Sequence, residues 1–389
     1  MEHLLMRNVL LLGASGSIGT QTLDLLVQHP DRFALMGFSV GKRVENVGRI
    51  LAQFPSVSYV CVQRKEDCES FRSHYPNIHW FYGDEGLQGI IRECSCDMVV
   101  NALVGFVGLL PSITALQENK ILALANKESL VVGGDIINEL LHQGKGKLYP
   151  IDSEHVAIAK LLSRTPKEDI KKIWITASGG SFRDSTREEL ASVTPKDALR
   201  HPTWSMGAKI TIDSATMMNK GFEVIEAKVL FDYPLEQTGI LMHKESHVHS
   251  VLELKDGTYV GDVSSPDMHG PIAYALFEGD IPFSLMHVRR LEEFGPYHFG
   301  EYDPVRYRAP QIALRAFAKG GTSRAVLNGA NEAAVYAFLE GRIPFLSIDS
   351  LVEEAVDSLP SIPHPSISQI LEADRASREY VESRIQGGK

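Results

Sequence analysis

The chain has 389 residues, 44% hydrophobic and 23% charged, with a formal net charge of -10, an ordinary globular composition long enough for two or three domains. The acidic balance argues against a nucleic-acid surface, although a local basic pocket for a phosphate is allowed. Four cysteines, at 61, 68, 94 and 96, make neither a secreted disulfide framework nor a complete zinc site, so reduced thiols in a cytoplasmic protein are expected.

Residues 8–12 form a continuous apolar run, the pattern of a strand buried on both faces of a parallel sheet. The run is too short for a signal h-region or a membrane span, so no membrane association is expected. Gly13-Ala14-Ser15-Gly16-Ser17-Ile18-Gly19 follows, ahead of a helical stretch at 20–28. Its spacing is GxxGxxG, and its logic is that of a dinucleotide loop: a tight turn, close backbone approach to a pyrophosphate, and a helix N-terminus that favours the anion. A ligand-free glycine turn is the bland alternative. A second strand over 33–40 ends in Gly41-Lys42-Arg43, where an NAD enzyme would carry an acid for the ribose hydroxyl. Two cations there favour a 2'-phosphate, hence NADP.

Strand and helix patterns then alternate through 59–62, 66–73, 97–102, 112–118, 121–125 and 129–143, implying βαβ units. Asn126-Lys127-Glu128 falls at the ligand-bearing edge, or is simply a helix start. Residues 147–151 read as a strand followed by Asp152-Ser153-Glu154-His155. If extension continues to Glu154, both carboxylates face one point beyond the strand.

Residues 173–176 read as a strand and Ala177-Ser178-Gly179-Gly180-Ser181 as a loop suited to an anion nest, or as a plain turn. Helix starts are expected at Ser185–Glu188, as a capping box, and at Thr194-Pro195. His201-Pro202-Thr203-Trp204-Ser205-Met206-Gly207 reads as a loop exposing bulky side chains, either tucked into the core or serving as a lid. In Asn219-Lys220-Gly221-Phe222-Glu223 a helix would place a third carboxylate beside a fixed cation. His247 and His249 alternate onto one face, but the structural reading is preferred over a metal because they run into an expected hairpin turning at Asp256-Gly257, a candidate subunit contact. An irregular stretch from 281 to 304, punctuated by Pro282, Gly295, Pro296, Gly300 and Pro304, reads as a linker. Helices are expected over 311–319, 325–339, 350–359 and 366–385, with Ser350 to Glu353 as a capping box.

The glycine loop, Asn126-Lys127-Glu128, Asp152-Ser153-Glu154-His155, Ser178-Gly179-Gly180, the segment from His201 to Gly207 and Met217-Met218-Asn219-Lys220-Gly221-Phe222-Glu223 together resemble the 1-deoxy-D-xylulose 5-phosphate reductoisomerase family over nearly the whole chain. The resemblance implies NADPH- and metal-dependent conversion of 1-deoxy-D-xylulose 5-phosphate to 2-C-methyl-D-erythritol 4-phosphate in the non-mevalonate isoprenoid pathway. The metal would be Mg2+ or Mn2+, with Co2+ a further candidate. It also implies a cytoplasmic homodimer acting on a phosphorylated sugar, with no nucleic-acid or membrane partner. The expected fold is α/β: a Rossmann-like parallel-sheet NADP domain over 1–151, a central α+β catalytic and dimerisation domain over 152–280, the linker over 281–304 and a small helical domain over 305–389.

By the same resemblance Asp152, Glu154 and Glu223 are metal ligands, and Ser178, Ser214, Asn219 and Lys220 hold the substrate phosphate. Ser153 and Lys127 contact the sugar, and His201 and Trp204 belong to a flap. Lys127, Glu154, His201 and Trp204 form the catalytic set, with Glu154, His201 and Glu223 also against substrate. Ser15, Gly16, Ser17, Ile18, Gly41, Lys42, Arg43, Asn126, Glu128 and Gly207 face the coenzyme. The chain departs from the family's pattern at Arg43, where asparagine is expected, and at Ser181, where proline is frequent. An ordinary NADP dehydrogenase, or a non-catalytic NADP-binding regulator, would need no three-carboxylate site.

Overall fold

The computed structural model describes residues 6–204, 206–281 and 290–387. Ser205 of the expected flap, and Pro282 with the first part of the expected linker, lie outside the described residues.

The first 150 residues alternate strand and helix: β1 (Arg7–Leu12), α1 (Ser17–Gln28), β2 (Phe33–Ser39), α2 (Val47–Gln53), β3 (Tyr59–Val62), α3 (Lys65–His74), β4 (His79–Tyr82), α4 (Gly83–Glu93), β5 (Met98–Asn101), α5 (Leu109–Gln117), β6 (Ile121–Leu124), α6 (Lys127–His142) and β7 (Lys147–Pro150). The strands make one parallel sheet in the order β4-β3-β2-β1-β5-β6-β7. Val9 to Leu12 are all 0% exposed, which fits a central strand covered on both faces. From β1 the chain winds outward one way and from β5 the other, so the loops after these two strands part at the crevice where open α/β sheets take ligands. Glycine is required there for packing. A Cβ on Gly19 would lie 2.3 Å from the Gly13 carbonyl oxygen and 2.7 Å from Ala14 Cα. α2, β4 and α4 are not among the elements expected from the sequence. Four-residue β4 closes the sheet's edge, and its burial alternates too briefly to stand out.

The remaining elements are α7 (Ser153–Leu162), β8 (Ile170–Ala177), α8 (Pro195–Ala198), α9 (Ala208–Thr216), α10 (Met218–Phe231), β9 (Thr238–His243), β10 (Val248–Leu254), β11 (Tyr259–Val263), α11 (His269–Leu276), β12 (Phe299–Glu301), α12 (Ala309–Lys319), α13 (Ser323–Leu339), α14 (Ser347–Ser358) and α15 (Ile367–Gly387). Strands β8 to β12 form a mixed sheet in the order β11-β10-β8-β9-β12, with β8 and β9 parallel. The Asp256-Gly257 hairpin forms between β10 and β11, and α12 to α15 make the helical carboxyl-terminal region. The capping box expected at Ser185 falls one residue later, between Thr186 and Glu189. Thr194 and Asp197 cap α8 reciprocally with Pro195 in the first turn. Ser350 lies inside α14, which starts a turn earlier than expected.

The chain divides into two compact units. Of the described residues, one comprises 6–129, 133–152 and 267–281; the other comprises 130–132, 153–204, 206–266 and 290–387. Helix α11 therefore belongs with the parallel sheet, and Ile272, Ala273, Ala275 and Leu276 pack into that sheet's core. Helices α12 to α15 share a unit with β8 to β11, and α12 lies against α10.

Candidate active site

The acidic cluster forms where α7 meets α10. Glu154 stands in the first turn of α7, not on an extended strand: the chain leaves β7 at Pro150 and turns helical at Ser153, so the expected same-side geometry of an extended chain does not apply. The carboxylates converge through a helix start instead. On α10, Lys220 and Asn219 precede Glu223 by three and four residues, as the helical spacing predicts, and both donate to its carboxylate, Lys220 Nζ at 2.6 Å. The same ammonium donates to Glu154. Ser153 Oγ donates to the other Glu154 oxygen at 2.6 Å. Lys220 and Glu223 are 6% and 1% exposed, so these are desolvated charges that need partners. Asp152 is bonded directly to the first residue of α7 and pairs with the buried ammonium of Lys127. One carboxylate oxygen from each of Asp152, Glu154 and Glu223 lies within 4.8 Å of the others. Three oxygens in that compass suit a hard divalent cation.

Two backbone ties fix these helices. His155 Nε2–H donates to the Glu223 carbonyl at 2.9 Å, and Ser250 Oγ on β10 donates to the Glu154 carbonyl at 3.0 Å. His155 Nδ1 faces Glu226 at 3.3 Å, both fully buried. His155 closes the run Asp152-Ser153-Glu154-His155, yet nothing in its spacing announces this bracing.

A second group of polar side chains gathers at the end of β8. Gly179 and Gly180 take φ values of +83° and +68°, and a Cβ on Gly180 would lie 2.5 Å from the Ser214 carbonyl oxygen, so only glycine allows the loop to press on α9. The Gly180 N–H donates to Ser178 Oγ at 3.3 Å. His201 Nε2 is 3.3 Å from Ser178 Oγ and 3.2 Å from Ser214 Oγ. The other ring nitrogen receives the backbone N–H groups of Thr203 and Trp204 at 3.1 and 2.9 Å. A backbone N–H can only donate, so Nδ1 is the bare nitrogen and Nε2 carries the proton in the neutral ring. Burial, then the positive charges of Arg183 and Lys220, push the His201 pKa down to about 4. Hydroxyls and an imidazole N–H thus converge near an ammonium, a set of donors suited to an anion. Trp204 lies 6.4 Å, centroid to centroid, from the ring of His249. Gly207 begins α9.

In the parallel-sheet unit, Gly16 caps α1 in an extended conformation, and no acid occupies the first turn. Ser15, Gly16, Ser17 and Ile18 therefore present an uncompensated positive helix end. Arg43 reaches across from the β2 loop, its Nη2 donating to the Ser15 carbonyl at 2.8 Å, while Gly41 and Lys42 beside it are exposed. Asn126 is buried; its Oδ1 caps α6 by accepting from Ser129 N–H at 3.0 Å, and its Nδ2 donates to the carbonyls of Leu103 and Gly105 and to Glu128. Those carbonyls belong to the loop after β5, which the sequence reading leaves out. Its sequence carries a glycine pair: Gly105 takes a φ of +78°, and a Cβ on Gly108 would lie 2.4 Å from Asn126 Cγ.

Three family descriptions match separate stretches: residues 9–134 the 1-deoxy-D-xylulose 5-phosphate reductoisomerase family, residues 148–231 the 1-deoxy-D-xylulose 5-phosphate reductoisomerase C-terminal domain, and residues 263–380 the DXP reductoisomerase C-terminal domain. The chain is 48% identical over 381 residues to the 1-deoxy-D-xylulose 5-phosphate reductoisomerase 2 of Bacillus thuringiensis subsp. konkukian, covering 98% of this chain and 100% of that protein. It is 46% identical to the Geobacillus sp. enzyme at the same coverage. Among solved structures it is similar to a DOX-P reductoisomerase in complex with NADPH, fosmidomycin and magnesium, with a TM-score of 0.91, 33% identity and 98% of each chain covered. It is also similar to the Zymomonas mobilis enzyme in complex with NADPH, with a TM-score of 0.89, 33% identity, and 98% of this chain and 99% of that one covered.

The depressed pKa of His201 has a direct readout. An unfolded histidine protonates near 6.5 and the folded one near 4, so the unfolded state binds the extra proton between these values and stability falls as pH drops from 6.5 towards 4. Because His201 is partly open to water, the loss should be about 1 kcal/mol. Chemical denaturation at pH 7.5 and pH 5 should show His201→Gln losing that much less than the parent, and 15N spectra should show the Nε2–H form still neutral at pH 6. An imidazolium at pH 6 would refute the assignment.

Proposed function

The chain belongs to the 1-deoxy-D-xylulose 5-phosphate reductoisomerase family, and from that premise we propose that Asp152, Glu154 and Glu223 hold the divalent cation on which its chemistry depends. The enzyme converts 1-deoxy-D-xylulose 5-phosphate to 2-C-methyl-D-erythritol 4-phosphate with NADPH, a carbon-skeleton rearrangement followed by hydride delivery to the resulting aldehyde. The observation that carries the ligand assignment is the convergence of three carboxylates, two from the start of α7 and one from the second turn of α10, around buried ammonium groups. A bound Mg2+ or Mn2+ supplies a Lewis acid for the carbonyl and hydroxyl oxygens of the substrate.

The protein's own groups account for the rest. Ser178, Ser214, Asn219 and Lys220 bind the phosphate, with the Nε2–H of His201 directed at the same place. This remote grip orients the reacting end. Ser153 and Lys127 address the sugar hydroxyls from the acidic side, and Lys127 pairs with Asp152 and aims it. Trp204 covers the substrate and excludes water, with Gly207 as the joint to α9. In the parallel-sheet unit the NADPH pyrophosphate sits over Ser15, Gly16, Ser17 and Ile18, and Gly41, Lys42 and Arg43 take the 2'-phosphate. Asn126 and Glu128 fix the loop after β5 against the coenzyme and complete its pocket.

A homodimer is the proposed assembly. Strand β11 is an edge of the mixed sheet and exposes Tyr259 (64%), Val260 (38%) and Val263 (40%), an unprotected edge that a second copy would cover. No described helix is long and apolar enough to cross a membrane. The four cysteines are free and buried, which suits a reducing cytoplasm.

Asp152→Asn should fold normally, keep NADPH binding and lose about 100-fold or more in turnover with weakened metal affinity. Chelation of the parent should abolish activity, and Mg2+ or Mn2+ should restore it. Full activity of Asp152→Asn would remove that residue from the site. Arg43→Ala should weaken NADPH by about 10-fold or more, the loss of one charge-assisted contact, and leave NADH nearly unchanged. Equal losses would show that Arg43 only braces the glycine loop through Ser15. Val260→Lys should convert the dimer to monomer in sedimentation; an unchanged dimer would place the interface elsewhere.

A further inference from the structure

The irregular segment before α12 carries a tyrosine to which neither the sequence nor the site assigned above gives a role. Tyr307 is 5% exposed. Its ring packs with Ala177 and Met217, with Met242 and Tyr302 alongside. These contacts place it beneath three of the segments proposed to hold the phosphate. Ala177 ends β8 and leads into Ser178. Met217, at a left-handed φ of 65°, is the joint between α9, which carries Ser214, and α10, which carries Asn219 and Lys220. The tyrosine is itself anchored, since its backbone carbonyl accepts from the Tyr302 hydroxyl at 2.6 Å and its N–H donates to the Asp303 carbonyl at 3.0 Å.

The Tyr307 hydroxyl donates to the Gly179 carbonyl at 3.3 Å. That carbonyl and the Gly180 N–H belong to one trans peptide, in which they point in opposite directions. A donor holding the oxygen on one side therefore aims the N–H on the other, and this N–H meets Ser178 Oγ at 3.3 Å. The aim needs holding: both glycines have positive φ, and glycine is the residue for which a peptide flip meets least resistance.

We propose that Tyr307 is a positioning residue for the substrate's phosphate: its hydroxyl locks the Gly179–Gly180 peptide so that the Gly180 N–H holds Ser178 Oγ and leaves the Ser178 hydroxyl proton for the anion. This rests on the reading that Ser178 and Ser214 hold that phosphate. Tyr307 touches no reacting atom, so its removal weakens the grip on the phosphorylated end and leaves the coenzyme and metal sites alone.

Tyr307→Phe keeps the ring in its pocket and deletes only the hydroxyl. In the full-length enzyme with NADPH and Mg2+, the KM for 1-deoxy-D-xylulose 5-phosphate and the inhibition constant of inorganic phosphate should rise together by about 3- to 10-fold, the weight of one hydrogen bond. The KM for NADPH, the half-saturating Mg2+ concentration and kcat should stay within about 2-fold. Ser178→Ala, measured in parallel, tests the underlying reading. If Ser178→Ala raises the phosphate constant and Tyr307→Phe does not, the positioning role is wrong while the phosphate site stands. If Ser178→Ala leaves the phosphate constant unchanged, the phosphate site is wrong and the inference goes with it. If Tyr307→Phe raises the NADPH, Mg2+ and substrate constants alike, the hydroxyl serves general packing and the proposal is overturned.

Discussion

The second unit's site depends on a single electrostatic constraint: carboxylates from two helices are drawn inside the protein and kept together by one ammonium. Two like charges about 4 Å apart repel by about 4 kcal/mol at the effective dielectric near a protein surface, and more as water is excluded. Lys220 answers that repulsion from the same helix that carries Glu223, so α10 brings its own counter-charge into the cluster and only Glu154 must be recruited from α7. The ties from His155 to the Glu223 carbonyl and from Ser250 to the Glu154 carbonyl are made through the backbone. They hold the helices in register whichever cation lies among the side chains.

The site is polarised along its length. One end gathers carboxylates, and the other presents hydroxyls, a peptide N–H and a neutral imidazole whose proton is fixed on Nε2 by two backbone donors at Nδ1. Lys220 stands where the two meet. A sugar phosphate placed there is repelled by one end and attracted by the other, so the site distinguishes head from tail before any close contact forms. Protonating His201 would add positive charge beside the two serine hydroxyls but would break the two N–H contacts that shape the loop from His201 to Trp204, and its low pKa keeps that conflict away from neutral pH.

Elements whose burial is uniform or strictly periodic were readable directly. β1 stands out because every residue from Val9 to Leu12 is apolar, and α10 places Asn219, Lys220 and Glu223 on one face because i+3 and i+4 neighbours share it. The Asp152–Glu154 pair was located, but its local geometry was misjudged, since three residues do not reveal whether a strand continues or a helix begins. α11 left no trace because its apolar residues lack flanking caps and read as part of an undifferentiated stretch. Tyr307 was invisible for a different reason. Its importance is a matter of what lies above it in space, and an isolated tyrosine in an irregular segment has no periodicity to betray that.

The return of α11 to the parallel sheet bears on how the protein is made. When β7 has emerged from a ribosome all seven strands are present, yet one flank of their core is still open. Ile272, Ala273, Ala275 and Leu276, together with Phe277 set edge-on against Phe33 at 5.0 Å, arrive only after β8 to β11 have been synthesised. The amino-terminal unit is thus first to appear but cannot be first to close, and the nascent sheet carries an exposed apolar face through that interval, the kind of surface that chaperones guard.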